Sequence, residues 1–181
     1  MIQESTIQIS TDPESGYRLT AKMTVDLPIE EVFEFFADAN QLERITPPWL
    51  NFEILTPRPI SMRKGLLLDY KIQLHWVPIR WRTEISSWEP PFRFVDQQLK
   101  GPYKVWHHEH TFEEVDGRTV VHDNVHYIPR GGALIHRLMV KPDLEKIFRF
   151  RHDRLNEIFN EKIAQRSAKQ IQPSQSLPTT V

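Results

Sequence analysis

From Tyr17 to Pro129 the chain alternates apolar and polar residues at period two in run after run, and beyond Gly131-Gly132 the apolar spacing becomes helical. Period two sends successive side chains to opposite faces of a strand, whereas helical spacing gathers them on one stripe. The first run, residues 17–27, sets Leu19, Ala21, Met23, Val25 and Leu27 against polar neighbours. Further strands are predicted over 50–56, 66–77, 79–88, 93–99, 104–114 and 118–129, the last two joined by the hairpin pair Asp116-Gly117. Strands in sequence with short connections favour an antiparallel meander. After the glycine break, 134–140 is expected to form one or two turns. Pro142 then restarts a helix as a first-turn residue, with Asp143 and Glu145 beside it. Its stripe is Leu144, Ile147, Phe148, Leu155, Ile158 and Phe159, and it should run to about Gln165.

Two short helices are expected between the first strand and the rest. Pro28 opens one, with Glu30 and Glu31 in its first turn and Ile29, Val32, Phe33 and Phe36 on its apolar face. The other covers 40–45 and is stopped by Pro47 and Pro48. The fold class is therefore α+β: a curved antiparallel sheet of about seven strands, two short helices after strand 1, and a long C-terminal helix. Such a sheet cannot close on itself. A helix laid across its concave face buries both apolar surfaces and can leave a ligand cavity between them. Residues 1–16 are polar and turn-rich, a loose lead-in; 17–166 form the domain; 167–181 turn to Ser, Gln, Pro and Thr, a disordered tail.

Composition removes several function classes. The net charge of −1 gives no basic footprint for nucleic acid. Cysteine is absent, which excludes disulfides, thiolate catalysis and Cys-ligated zinc. No signal peptide and no apolar run long enough for a membrane span is seen, so the cytoplasm is the expected location. There is no GxSxG, Walker loop, GxGxxG, HExxH or EF-hand pattern, and no cofactor is expected.

The stretch from Trp106 to Phe112 carries the most chemistry. On a strand, Trp106, His108, His110 and Phe112 share one face; on the next, Val121, Asp123, Val125 and Tyr127 do. If these faces point inward, His108, His110, Asp123 and Tyr127 meet on one cavity wall. The opposite phase would turn in His107, Glu109, His122, Asn124 and His126. The first is preferred because it buries Trp106, Phe112, Val125 and Tyr127 together. In either phase such polar groups can also be satisfied core hydrogen bonders. Alternation adds Tyr70, Ile72, Trp81, Thr83, Phe94, Asp96 and Gln98 to the wall, and Phe148 faces it from the helix.

Arg151 falls in the middle of the helical stripe. A guanidinium there needs an anionic partner: Asp123, Asp96 or a ligand carboxylate. The alternative is an arginine that snorkels to water. His108-x-His110 is half of a metal site, whose third ligand would be Asp123 or His126. Only one of these shares the preferred face, and no metal is expected.

The segments PIEEVFEFF (28–36), LERITPPWLNF (42–52), MRKGLLLDY (62–70) and WEPPFRFVDQQLKGPYKVW (88–106) carry a family likeness. HHEHTF (107–112) and VHDNVHYIPRGG (121–132) extend it. Over about residues 17–165 the chain resembles the START/polyketide-cyclase-like (SRPBCC) superfamily, whose fold is called helix-grip or birch-pollen-allergen-like. It is most similar to a bacterial subgroup of cyclase/dehydrase-like ligand-binding proteins, sometimes fused to epimerase-like domains. The resemblance implies the helix-grip fold. It does not single out an activity, because the superfamily spans carriers, receptors and cyclases.

The expected function is binding or carriage of a small hydrophobic ligand (lipid, isoprenoid or polyketide-like), oriented by Arg151 and the His108/His110/Asp123/Tyr127 cluster. Movement of 40–48 or 130–140 would admit it. One alternative is a cyclase or dehydratase using His108 or His110 as general base, with Asp123 or Tyr127 as partner. Another is an accessory domain docking an epimerase-like partner, the chain being a monomer or homodimer.

Overall fold

The computed structural model describes residues 6–12 and 15–171. Eight strands form one antiparallel sheet: β1 (Thr6–Thr11), β2 (Tyr17–Val25), β3 (Glu53–Ile54), β4 (Leu67–Leu74), β5 (Val77–Glu89), β6 (Arg93–Lys100), β7 (Tyr103–Val115) and β8 (Arg118–Pro129). Their spatial order is β1-β2-β8-β7-β6-β5-β4-β3. The meander from β3 to β8 is thus closed onto the N-terminal hairpin by the β2–β8 ladder, Tyr17 opposite Tyr127 through Val25 opposite Thr119. Between β2 and β3 lie α1 (Ile29–Phe36), α2 (Gln41–Ile45) and a 3-10 turn, Pro48–Leu50. The chain ends in α3 (Gly132–Ile135), a π turn (His136–Val140) and α4 (Lys141–Ile171). This is the helix-grip architecture.

Several expectations shift in detail. The lead-in contains β1, an eighth strand; its Ile7 and Ile9 pack inward, while its polar residues suit an edge strand with one face in water. The strand expected over 50–56 shrinks to Glu53–Ile54, because Pro47 and Pro48 start a 3-10 turn and Asn51 takes a left-handed φ of 42°. The β4–β5 turn falls at His75-Trp76, both at positive φ, rather than beyond Val77. Pro78 then sits inside β5, where β6 does not yet pair, so its missing N–H costs no ladder bond on that side. Asp116-Gly117, with φ of 52° and 71°, makes the expected hairpin turn.

The last α-helix restarts at Lys141 with Pro142 in its first turn, as expected, but with no break in the helical backbone before it. Gly132 to Ile171 is continuously helical, and the Lys141 N–H reaches back five residues to the His136 carbonyl. That widened turn lies just ahead of Pro142, where the ring would crowd an α-helical carbonyl. The helix also passes Gln165 and runs through Ile171, the last described residue, so 167–171 of the expected tail are helical and the rest lies outside the described residues.

Leu144, Phe148, Leu155, Ile158 and Phe159 are buried against the sheet. Two clusters of core residues flank the space beneath α4. In one, Phe33, Phe36, Phe94, Phe112 and Phe159 pack edge-to-face and stacked around α1. In the other, Leu19, Trp81, Tyr103, Val125, Tyr127 and Phe148 meet at the opposite end of the sheet.

Candidate functional site

Between the two clusters lies a cavity of about 320 Å³, within the range of small-molecule sites. Most of its wall is apolar, from Phe36, Leu68, Ile72, Trp81, Ile85 and Phe94 on one side to Leu144, Ile147 and Phe148 on α4. Of the residues expected on the wall, Tyr70, Ile72, Trp81, Thr83, Phe94, Asp96, Trp106, His108, His110, Phe148 and Arg151 line it. The preferred phase of β7 and β8 is the observed one: His108, His110, Phe112, Asp123, Val125 and Tyr127 are buried. His107, Glu109, Asn124 and His126 lie on the outer face with Arg18.

Three expected wall residues stand elsewhere. Gln98 is turned to the β6–β7 connection, where its amide donates to the Tyr103 carbonyl at 2.9 Å and accepts the Tyr103 N–H at 3.3 Å. Gly101 lets it fold there, since a Cβ would come within 2.2 Å of the Gln98 amide oxygen. Tyr127 is buried under the π turn, its hydroxyl 2.9 Å from His136 Nε2, and Tyr17 stacks on the same imidazole. Asp123 sits behind the two histidines rather than on the wall itself.

A five-residue charge cluster stands at the wall, Asp96, His108, His110 and Arg151 on it and Asp123 behind. Asp123 Oδ1 is 2.9 Å from His108 Nε2 and 2.7 Å from His110 Nδ1; the first is an aligned hydrogen bond, the second a close contact off the bonding line. On the cavity side, Asp96 Oδ2 lies 3.1 Å from His110 Nε2 and 3.5 Å from His108 Nδ1. The two imidazoles are 3.8 Å apart, and His110 also stacks on Phe94 at 4.2 Å. Arg151 comes down from α4 to within 3.8 Å of Asp123, its Nε buried without a hydrogen-bond partner. It does not snorkel to water.

The strands place these groups by register. Asp96 pairs with His108 across β6–β7, and His110 with Asp123 across β7–β8, so four inward residues fall into one patch. Burial alone would raise both carboxyls. His108, His110 and Arg151 outweigh it at Asp96, and Arg151 with the two histidines holds Asp123 well below the usual carboxylate range. Burial pushes His108 down, and the neighbouring His110 adds to this. Burial also works against charge on His110, but Asp123 and Asp96 together raise it. The two carboxylates are thus set against Arg151 and the two imidazoles within one buried patch.

Alternation missed other wall residues. Tyr103, three residues before the expected Trp106, also lines the cavity because a bulge between Tyr103 and Val105 resets the phase. Leu42, Ile45, Thr46 and Leu50 enter from the α2 region, and Ile135, Met139 and Val140 from the turns before α4. At this second margin His75, in the β4–β5 turn, is 2.6 Å from Asp143 at the start of α4.

The model of the family described as "Polyketide cyclase / dehydrase and lipid transport" matches residues 25–155. No curated protein matches the chain. Among solved structures, protein Ms6760 from Mycobacterium smegmatis superposes with a TM-score of 0.64 at 17% identity, over 88% of this chain and 99% of that one. The Zhui aromatase/cyclase from a Streptomyces species gives 0.63 at 17% identity, over 81% and 94%. A solution structure from Staphylococcus epidermidis gives 0.62 at 19% identity, over 87% and 94%. At such identities the likeness is one of fold.

Proposed function

The chain belongs to the polyketide cyclase/dehydrase and lipid transport family, and from that premise we propose that it binds a small hydrophobic ligand bearing one polar or anionic end. The observation that supports this is the asymmetry of the cavity. Its walls are mostly apolar, and Asp96, His108, His110 and Arg151 form one charged patch among them, while other polar groups such as Asp38, Thr83, His75 and Asp143 are spread around the rest of the lining. Apolar burial supplies affinity, and a single polar end fixes which way the ligand enters. Arg151 is the residue for an anionic group, since its Nε still lacks an acceptor. Among the described residues no helix is long and apolar enough to cross a membrane.

The test is native mass spectrometry of protein purified without detergent, followed by organic extraction and a panel of fatty acids, isoprenoids and aromatic polyketides. A bound species of defined mass, lost in Ile147→Trp and weakened in Arg151→Met, supports the reading. A ligand-free mass with no uptake from the panel overturns it.

A second reading, cyclisation or dehydration, is favoured by one geometric feature: two imidazoles 3.8 Å apart between two carboxylates, both on the cavity wall. Such a pair can accept and return a proton on one substrate. It predicts turnover of β-hydroxy or polyketone substrates, lost in His108→Gln and His110→Gln while binding persists.

A further inference from the structure

We propose that Asp96, His108 and His110 form a binding site for a first-row divalent metal ion of the zinc type, with Asp123 as the carboxylate that orients both imidazoles. One ligand atom from each of the three residues lies within 4.8 Å of the others. Asp96 Oδ2 is 3.5 Å from His108 Nδ1 and 3.1 Å from His110 Nε2. Ligand atoms held ~2.0–2.1 Å from a tetrahedral ion are about 3.3–3.4 Å apart, so these two edges already have nearly the required length.

The far side of each ring strengthens the assignment. His108 Nε2 hydrogen-bonds Asp123 Oδ1 at 2.9 Å, and His110 Nδ1 lies 2.7 Å from the same oxygen, off the bonding line. Metal-bound histidines characteristically give their second nitrogen to a carboxylate, which fixes tautomer and ring orientation. Once those nitrogens carry the protons that Asp123 attracts, His108 Nδ1 and His110 Nε2 present lone pairs on the side of Asp96. Three electron-pair donors then converge with no proton among them, and a cation is what such a set requires. In the metal-free chain a proton shared between His110 and Asp96 fills that role.

The donor set selects the ion. Two imidazoles and one carboxylate suit Zn²⁺, Co²⁺ or Ni²⁺, not the all-oxygen shells of Mg²⁺ and Ca²⁺. All three residues line the cavity, so the remaining coordination positions face the ligand space. Three protein ligands with an open position is the arrangement of a metal that meets a substrate, not of a closed structural site. The third ligand comes from β6, not from Asp123 or His126 as the order of residues in the sequence suggests. Strand register brings Asp96 opposite His108.

The site stands independently of the ligand reading, since it is tested with the metal alone. Tag-free protein, stripped with chelator and dialysed, is titrated with Co²⁺ and followed by its visible d–d absorption, and with Zn²⁺ by calorimetry. The expected result is one equivalent with a low-coordinate cobalt spectrum. Affinity should fall at least 100-fold in Asp96→Asn and in His110→Gln and about 10–100-fold in Asp123→Asn. It should be unchanged in His107→Gln, on the outer face of the same strand. No binding at millimolar metal overturns the proposal, as does binding indifferent to Asp96→Asn and His110→Gln. Should these variants fail to fold, X-ray absorption of the wild-type cobalt form decides. Two imidazole ligands support the site, and one or none overturns it.

Discussion

Arg151 on the long helix and Asp123 on the sheet meet across the helix–sheet interface, Nη2 to Oδ1 at 3.8 Å. Asp123 is the node of this contact, since it also holds both imidazoles. Removing one partner of a buried ion pair leaves the other uncompensated, at about 3–5 kcal/mol where contact is tight. At 3.8 Å, and with a second carboxylate near the guanidinium, Arg151→Met should cost less, about 1–2 kcal/mol. Asp123→Ala, which strands Arg151, His108 and His110 together, should cost about 3 kcal/mol or more. Urea unfolding of the two variants measures the order, and equal costs would deny Asp123 its central place.

Trp81 lines the cavity with its indole nitrogen buried and without a partner. An unsatisfied buried donor already bears its desolvation cost, so Trp81→Phe should change stability by less than about 1 kcal/mol once the lost volume is counted. If that N–H serves a ligand acceptor, affinity for an oxygenated ligand should fall about 5- to 10-fold, the worth of one hydrogen bond. Affinity for a pure hydrocarbon should hardly move. Paired titrations with an alkane and its alcohol separate the two.

The wall was legible in the sequence wherever ladders run unbroken. Period two on β7 and β8 identifies His108, His110 and Asp123 as inward, and the stripe on α4 does the same for Arg151 and Phe148. It failed where local geometry resets the phase. The bulge before Val105 brings Tyr103 inward, and the tight turn at Gly101 draws Gln98 away to the backbone of its own loop. Register between strands is a three-dimensional property. The alternation of β6 marked Asp96 as inward but could not place it against His108. The strand at Thr6–Thr11 escaped notice because an edge strand with one wet face has the composition of a loop.

His136 is buried beneath Tyr127 and Tyr17, with Lys141 nearby on α4. Burial, and then the Lys141 charge, lower its proton affinity below the ordinary value of 6.5. The unfolded chain therefore takes up this proton first as pH falls. The stability that neutral His136 contributes is complete above about 6.5 and declines as pH drops toward the folded-state value. Thermal melts of wild type and His136→Gln should differ most near pH 8 and converge toward pH 5. A difference that widens on acidification would contradict this.

Gly16 and Gly65 share a left-handed backbone, at φ of 76° and 78°, but differ in surroundings. A Cβ on Gly16 would lie 2.6 Å from the Tyr127 carbonyl oxygen, whereas one on Gly65 would meet nothing within 4 Å. Gly65→Ala should then cost only the backbone term, about 1–2 kcal/mol. Gly16→Ala should cost more, because the contact is with backbone of the β2–β8 ladder and cannot be relieved by a rotamer change. Chemical denaturation of both variants gives the difference directly, and equal costs would place the Gly16 turn farther from β8 than described.

The pair His75 and Asp143 joins the β4–β5 turn to the start of α4 at the margin of the cavity, at 2.6 Å. Both side chains are partly in water, at 54% and 31% exposure, so the contact is worth no more than about 1 kcal/mol. Its effect should be kinetic. Opening between the turn and the helix must break it, whereas the ligand-filled and ligand-free closed forms both keep it. His75→Ala should speed uptake and release alike, by up to about 5-fold, the rate equivalent of 1 kcal/mol. The equilibrium affinity should stay nearly constant, and the melting temperature should fall by no more than about 2–4 °C, the equivalent of 1 kcal/mol in a chain of this size. Stopped-flow exchange of a fluorescent ligand measures both rates. A change in release alone would mean that His75 touches the ligand, and no change would place the path at the α2 margin, around Leu42 and Thr46.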